Sequence, residues 1–303
     1  MVRVAYIIGA GRSGSTVLDI LLGNHPQIES LGEFANFPLH GWLNGEYCSC
    51  GKPGNQCSFW TSVYAEWSKI TSGAQIENYI TLQSRYEHYN AWGRLVRAGN
   101  LDHQHFKQYT HLTSAFFKSV HNVSGRPIIV DSSKQPMRAY TLSKIESIDL
   151  RLIHMVRDVR GVAWSLKKPY AINLKAGIQK EIRSRPAFRT GLFWTFVNLQ
   201  SEWVCSRIKS ENVLHLRYEN LVTDPAGSLE KVGRLLQLDL SSIIEKIKQD
   251  IPLETHHQIA GNRLRMRGEL RLKADQRWKD EMPDHDRYAA MLPSAWLMKR
   301  YDY

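Results

Sequence analysis

Residues 2–16 read VRVAYIIGAGRSGST, from Val2 to Thr16. The apolar residues 4–8 predict a buried β-strand, and residues 17–22 repeat apolar side chains with the spacing of a helix. A glycine-rich turn at residues 9–14 joins the two. Such a turn directs backbone N–H groups and the positive end of the helix dipole at a phosphate. The sequence therefore predicts a phosphate-binding loop between the strand and the helix.

This loop differs from the loop of nucleoside triphosphatases at one position. Gly9 and Gly14 have the Walker A spacing and Thr16 stands at its hydroxyl position, but Ser15 occupies the place of the lysine. Kinases use that lysine on the β- and γ-phosphates. Arg12 supplies a cation from within the loop instead. The loop is thus suited to a terminal phosphate and poorly suited to a metal-bound triphosphate.

Three further apolar stretches predict strands, at residues 128–130, 150–156 and 213–217, and residues 27–34 predict a loop or a short strand. Helical patterns alternate with them, over residues 137–145 and 192–208 for example. This alternation is typical of an α/β fold with a parallel sheet. Ligands bind beyond the carboxyl ends of such strands. We therefore expect the loop, residues 132–134 and Arg157 to meet in one crevice.

Residues 61–120 predict two or three helices that form an insertion, with breaks at Gly73, Gly93 and Gly99. Its aromatic residues have the spacing of a core-facing helix surface and are interpreted as core. We see no internal repeat and no low-complexity linker. The sequence therefore predicts one domain over residues 1–303.

The composition indicates an anionic partner, because 40 Lys and Arg against 29 Asp and Glu give a formal net charge of +11. No apolar run approaches the ~20 residues of a membrane helix. The first residues lack the pattern of a secretory signal, so a cytoplasmic location is expected.

Three cysteines lie close together, in the spacing C-x-C-x6-C at Cys48, Cys50 and Cys57, whereas Cys205 is far away. A structural zinc site would need a fourth ligand, for which His40 is a candidate. Buried thiols or a disulfide are the favoured alternative, so no metal ligand is assigned.

The GRSGST loop resembles the 5′-phosphosulfate loop of sulfotransferases that use 3′-phosphoadenosine-5′-phosphosulfate (PAPS). Residues 156–165 resemble the motif of that family in which an arginine and a serine eight positions later bind the 3′-phosphate. Residues 257–265 resemble its C-terminal loop that closes over the nucleotide. The resemblance covers most of the chain and implies a P-loop-like three-layer fold with a central parallel sheet. It implies the following cofactor-binding residues: Gly11, Arg12, Ser13, Gly14, Ser15, Thr16, Arg157, Ser165, Arg263 and Arg265.

The resemblance also implies metal-independent, in-line transfer of the sulfuryl group to an acceptor hydroxyl, with PAP as the product. Arg12 and Lys134 are assigned to the transferring group, since residues 131–134 resemble the catalytic lysine segment of the family. Residues 31–33 resemble a segment with a catalytic glutamate, so Glu33 is assigned as the general base. Other branches use histidine. The remaining candidates for the base are therefore His25, His40 and His154.

Two other functions fit parts of the sequence. A P-loop kinase-like phosphotransferase is disfavoured by Ser15, and a basic nucleic-acid-binding protein would leave the phosphate loop unexplained. The acceptor is expected to be a small molecule, a carbohydrate or a tyrosine-type hydroxyl rather than a nucleic acid. Residues 61–120 and 167–189 are expected to shape its site. The sequence does not indicate the oligomeric state.

Overall fold

The computed structural model describes residues 1–97, 103–169, 171–173, 181 and 183–303. The strands are β1 (Val2–Ile8), β2 (Ile28–Ser30), β3 (Ile128–Lys134), β4 (Ile148–Val156), β5 (Val213–Arg217), β6 (Leu253–Glu254) and β7 (Glu269–Leu270). The helices are α1 (Ser15–Gly23), α2 (Ser58–Ile70), α3 (Ile76–Glu87), α4 (Trp92–Arg97), α5 (Gln104–Ser124), α6 (Pro136–Leu142), α7 (Val159–Lys167), α8 (Ala187–Cys205), α9 (Tyr218–Thr223), α10 (Pro225–Leu236), α11 (Ser241–Lys248), α12 (Trp278–Glu281), α13 (Asp284–Met291) and α14 (Ala295–Arg300).

Five of these strands form a parallel sheet in the order β2-β3-β1-β4-β5, and β6 and β7 form a small antiparallel pair. β1 lies in the centre because both of its faces are apolar. Tyr6 and Ile8 point into one hydrophobic cluster, whereas Ala5 and Ile7 point into another. Side chains alternate between the faces of a strand, so a continuous apolar run requires cover on both sides.

Helices supply that cover in two layers. Side chains of α2, α3 and α5 pack with one face of the sheet, and side chains of α1, α10 and α11 pack with the other. The buried rings of Trp67, Tyr79 and Phe116 belong to the first layer, which confirms their interpretation as core. The α/β fold with a central parallel sheet is therefore confirmed.

The boundaries differ from the predictions in several places. The strand predicted over residues 128–130 continues to Lys134, and the helices predicted over 137–145 and 192–208 are α6 and α8. Gly73 separates α2 from α3 as predicted, but Gly93 lies inside α4, so a break there was wrong. A glycine inside a helix costs about 1 kcal/mol relative to alanine, and burial of the neighbouring Leu95 offsets that cost. Gly99 lies outside the described residues.

Of the helices that the structure describes, none combines the length and the hydropathy that crossing a bilayer requires.

Candidate active site

A cavity of about 710 Å³ opens at the carboxyl ends of the parallel strands. β3 and β4 flank β1 on opposite sides, so the chain changes direction across the sheet at β1. Ligands of open α/β sheets bind at such a point. The residues that follow β1 line the cavity together with Lys134 at the end of β3, Arg157 after β4 and Tyr218 after β5.

The loop after β1 has a backbone that two of its glycines make possible. Gly9 has a φ of +135° and Gly14 a φ of +90°. A Cβ at Gly9 would lie 2.3 Å from the Met155 carbonyl oxygen, and one at Gly14 would lie 2.4 Å from the ring of Tyr218. Gly14 is also the N-cap of α1. The loop therefore packs against β4 and delivers the chain to a helix N-terminus, the arrangement that suits an anion.

The structure brings this loop together with Arg157 and Ser165. Arg12 Nε donates to Ser165 Oγ at 3.0 Å, and Arg157 Nη1 donates to the Arg12 carbonyl at 3.3 Å. The Arg157 guanidinium also lies 4.4 Å from the ring centre of Tyr218 and donates to the Asp275 carbonyl at 2.9 Å. Two sequence motifs more than 140 residues apart thus form one cationic wall.

Two polar atoms of the loop and of Arg157 are buried without a hydrogen-bond partner among the described residues, Ser13 Oγ and Arg157 Nε, and of these two residues only Arg157 lines the cavity. Buried donors normally have a partner, because an unsatisfied donor costs about 1–3 kcal/mol. An anion in the cavity would lie beside the Arg157 guanidinium, whereas Ser13 lies outside the cavity lining.

Glu33 and Lys134 form an ion pair on the other side of the cavity. Lys134 Nζ also donates to the Ser132 carbonyl at 3.0 Å, and Glu33 accepts a bond of 2.8 Å from Asn36 Nδ2. The backbone N–H of Glu33 donates to the Ile259 carbonyl at 2.9 Å. Lys134 has a φ of 69° and Arg12 a φ of 70°. Left-handed backbone at non-glycine residues is costly, and such residues cluster at functional sites.

The segment 257–265 contributes part of what the sequence predicted. Asn262 N–H donates to Thr16 Oγ1 at 3.4 Å, and Arg263 lines the cavity. Arg265, by contrast, is 2% exposed and donates to the Tyr47 carbonyl at 2.9 Å, outside the cavity lining. Both arginines lie in a 3₁₀ turn, in which residues two positions apart point in different directions. The structure therefore does not bring Arg265 to the cavity.

The histidine alternatives to Glu33 lie elsewhere, and no histidine lines the cavity within the described ranges. His40 pairs with Glu46 at 3.2 Å, and His25 accepts a bond from a neighbouring backbone N–H at the end of α1. His154 lies inside β4 against Asn198, and burial lowers its pKa to about 4.

Sequence reasoning missed Trp164 and Phe193, which form part of an aromatic wall of the cavity. Tyr89 and Phe193 line the cavity with their ring centres 5.5 Å apart, and Trp164 lines it as well. Burial, together with the negative charge of Glu33, raises the pKa of Tyr89 to about 12, so its hydroxyl keeps its proton. Tyr89 lies in the segment 61–120 that was expected to shape the acceptor site, whereas Trp164 and Phe193 lie outside the segments expected there.

The cavity lining is strongly positive, with two acidic residues, Glu33 and Asp275, against ten basic ones. The basic residues are Arg12, Lys134, Arg157, Lys168, Arg185, Arg263, Arg267, Arg271, Lys273 and Arg277. Lys168 and Arg185 belong to the segment 167–189, of which residues 170, 174–180 and 182 lie outside the described residues. Such a wall concentrates a highly charged anion.

Buried polar groups fix the strand ends beneath the cavity. Asp19 in α1 accepts hydrogen bonds from Ser30 and Ser132, and burial raises its pKa to about 7. The buried Arg138 pairs with Glu87 and, at 3.0 Å, with Asp131. These side chains gave no signal in the sequence, since isolated charged residues are usually solvated.

Comparisons with known proteins identify relatives of the chain. A model of the Sulfotransferase family matches residues 5–242. The fold is similar to the sulfotransferase domain of the olefin synthase of Synechococcus PCC 7002, with 17% identity, a TM-score of 0.53 and coverage of 99% of this chain and 94% of that one. It is also similar to a sulfotransferase of Mycobacterium avium, with 13% identity, a TM-score of 0.49 and coverage of 98% and 76%. No curated protein matches the sequence.

Proposed function

Because the chain belongs to the sulfotransferase family, we propose that it transfers the sulfuryl group of PAPS to an acceptor hydroxyl. The observation that carries this proposal is the meeting of two separate anion-binding elements in one cavity. One is the loop after β1, and the other is Arg157 with Ser165. PAPS is matched to such a pair, since it carries a phosphosulfate at one end and a 3′-phosphate apart from it.

The residues present fit this nucleotide. Gly9 and Gly14 leave the loop backbone open where a Cβ would collide with β4 or Tyr218. Arg157 lines the cavity, and its Nε is a buried donor that lacks a partner in the described part of the chain. We assign the loop residues 11–16 to the phosphosulfate. We assign Arg157 and Ser165 to the 3′-phosphate, and Arg263 to the part of the nucleotide that the C-terminal loop covers.

The chain supplies the groups that in-line transfer requires. When bound, PAPS supplies an activated sulfuryl group whose bridging oxygen leaves with PAP. Glu33 accepts the proton of the acceptor hydroxyl as the oxygen–sulfur bond forms, which is general base catalysis. Lys134 and Arg12 stabilise the negative charge that develops on the bridging oxygen. The ion pair with Lys134 and the bond from Asn36 hold the Glu33 carboxylate in place for this step.

The acceptor is proposed to enter beside Glu33, along the wall of Tyr89, Phe193 and Trp164. Aromatic faces suit a sugar ring, a phenol or an apolar small molecule. We propose a small-molecule, carbohydrate or tyrosine-type hydroxyl as the acceptor.

Binding of PAP is the direct test. We would follow thermal unfolding with PAP, 5′-AMP, ADP and Mg²⁺-ATP in parallel. A ligand at ~100 times its dissociation constant stabilises by about 2.7 kcal/mol, which moves the transition visibly. The expected result is stabilisation by PAP well above that by 5′-AMP. Stabilisation by Mg²⁺-ATP alone would contradict the proposal and favour a kinase-like phosphotransferase.

A pair of arginine variants tests the second anion site. Arg157→Ala removes a charge-assisted bond worth about 1.5–3 kcal/mol, so PAP should bind about 10- to 150-fold more weakly. Arg151→Ala is the matched control, since Arg151 lies in β4 outside the cavity lining and pairs with Asp149. Equal effects of both substitutions on PAP binding would contradict the assignment. Added salt that weakens the binding of PAP and of other polyanions, DNA included, to the same extent would also contradict it.

A further inference from the structure

A cluster of sulfur and imidazole ligands lies outside the cavity. Cys48, Cys50 and Cys57 approach His257, and one potential ligand atom from each of the four lies within 4.8 Å of the others. His257 Nδ1 lies 3.3 Å from Cys57 Sγ and 3.8 Å from Cys48 Sγ. We propose that these four residues bind a structural zinc ion.

The two sulfur–nitrogen distances fit tetrahedral zinc. Zn–S bonds of about 2.3 Å and Zn–N bonds of about 2.0–2.1 Å place neighbouring ligand atoms about 3.5 Å apart at the corners of a tetrahedron. The two measured sulfur–nitrogen distances lie on either side of that value. Three thiolates and one imidazole form a complete zinc set that leaves no open position, and such closed sites are structural. Thiolate ligands also select zinc over hard cations such as Mg²⁺.

The local backbone presents the ligands together. Cys48 N–H donates to the Lys52 carbonyl at 2.8 Å and Gly51 N–H donates to the Cys48 carbonyl at 2.9 Å. Gly51 has a φ of +84°, which turns the chain directly after Cys50. Cys57 is the N-cap of α2. Two ligands therefore come from a tight turn and the third from a helix start, which fixes their spacing.

The fourth ligand comes from the distant segment 257–265 and is oriented by a ring. The imidazole of His257 stacks on Phe59, with ring centres 5.2 Å apart and planes 10° from parallel. Spacing along the sequence suggested His40 instead, but His40 pairs with Glu46. Stacking on Phe59 holds the ring with Nδ1 turned towards the sulfur atoms of Cys48 and Cys57.

The position of the ion would connect the cysteine turn to the cavity. Ser49 N–H donates to the Gln258 carbonyl at 3.0 Å, and Ile259 N–H donates to the Leu31 carbonyl at 3.0 Å. The Ile259 carbonyl in turn accepts the bond from Glu33 N–H. Gly261 follows two residues later and borders the cavity. Zinc at His257 would thus hold the segment that fixes the backbone of Glu33, whatever the reaction there.

Metal content of the purified full chain tests the proposal. Elemental mass spectrometry should find about one zinc per chain in the wild type, and on the order of tenfold less in Cys57→Ser and His257→Phe. Cys205→Ser is the matched control, because Cys205 is buried in α8 beside His154 and His215, a second group of potential ligands away from the cluster. This variant should keep the zinc, and loss of zinc from it with retention in Cys57→Ser would overturn the proposal. His257→Cys should also keep it, since four thiolates bind zinc equally well. Wild-type protein that neither contains zinc nor takes it up on addition would overturn the proposal.

Two measurements on the wild type avoid variants that fail to fold. Co²⁺ in place of zinc should give the thiolate charge-transfer and d–d absorption of a tetrahedral site. The chain unfolded with a chelator and without reductant should release four reactive thiols. Two missing thiols would mean a disulfide and overturn the proposal. Four thiols with no bound metal and no cobalt spectrum would do the same.

Hydrogen exchange tests the connection to the cavity. Removal of the metal should speed hydrogen exchange at the amides of Glu33 and Ile259. Exchange at the amides of α10, on the opposite face of the sheet, should stay the same. Unchanged exchange at Glu33 and Ile259 in protein shown to have lost zinc would overturn the proposed connection.

Discussion

The Asp19→Asn substitution should change how the stability of the protein depends on pH. Asp19 is completely buried in α1 and accepts hydrogen bonds from Ser30 and Ser132. Burial disfavours the charged form and raises its pKa to about 7, from the 3.8 of an ordinary aspartate. The folded chain therefore holds a proton at Asp19 at pH values where the unfolded chain has lost it.

The sign and size of the effect follow from this difference. A pKa raised on folding contributes stability below pH 3.8, and this contribution is lost as the pH rises towards about 7. A difference of about 3 pH units at ~1.4 kcal/mol each amounts to about 4 kcal/mol in total. Between pH 5 and pH 8 the loss is about 2.5 kcal/mol. Asparagine does not titrate, so the free energy of unfolding of the variant should rise by about 2.5 kcal/mol relative to that of the wild type between pH 5 and pH 8.

Urea unfolding of both proteins at several pH values between 5 and 8 measures the difference directly. Asp149→Asn is the matched control. Burial of Asp149 is outweighed by hydrogen bonds from Arg3 and Arg151, so its pKa is lowered and it does not titrate above pH 5. The control should therefore differ from the wild type by the same amount at every pH. A constant difference for Asp19→Asn as well would refute the reasoning.

Three further substitutions test the site and the groups beneath it. Glu33→Gln should lower kcat by a factor of about 10²–10⁴ and leave PAP binding nearly unchanged, as measured by turnover and calorimetry. Arg138→Met leaves two buried carboxylates without their partner, so urea unfolding should report a loss of about 3–5 kcal/mol. Gly14→Ala forces a Cβ to 2.4 Å from Tyr218 at a φ of +90°, so it should destabilise the protein by at least about 1 kcal/mol and weaken PAP binding.

Each of these three substitutions has a matched control variant. His40→Ala should keep full turnover. If His40→Ala lost turnover and Glu33→Gln kept it, the assignment of the general base would be wrong. Arg3→Met removes a half-buried ion pair whose partner Asp149 still pairs with Arg151, so the loss should be only about 1 kcal/mol. Gly11→Ala meets nothing within 4 Å of the new Cβ and should leave stability unchanged. Equal losses in Gly11→Ala and Gly14→Ala would contradict the steric argument.

The sequence predicted the parts of the site that depend on neighbours along the chain. The strand, loop and helix around residues 2–23 are local, because apolar period, glycine positions and helix ends are read within a few residues. Parallel strands present their carboxyl ends at one edge of the sheet, so the sequence predicted that Lys134 and Arg157 lie near the loop. Both residues line the cavity with it. Arg265 was expected at the cavity but lies outside its lining, since its place depends on the direction of one side chain.

The sequence by itself thus determined the α/β class, the glycine-rich loop between β1 and α1 and the strand ends that carry the cationic residues, because these follow from local pattern and from the period of a strand. Only the tertiary structure decided that Arg12 reaches Ser165, that Glu33 pairs with Lys134 and that His257 joins the three cysteines. Each of these contacts joins segments about 100 to 200 residues apart. Their side chains meet through the packing of whole helices and strands, and no spacing along the chain encodes that packing.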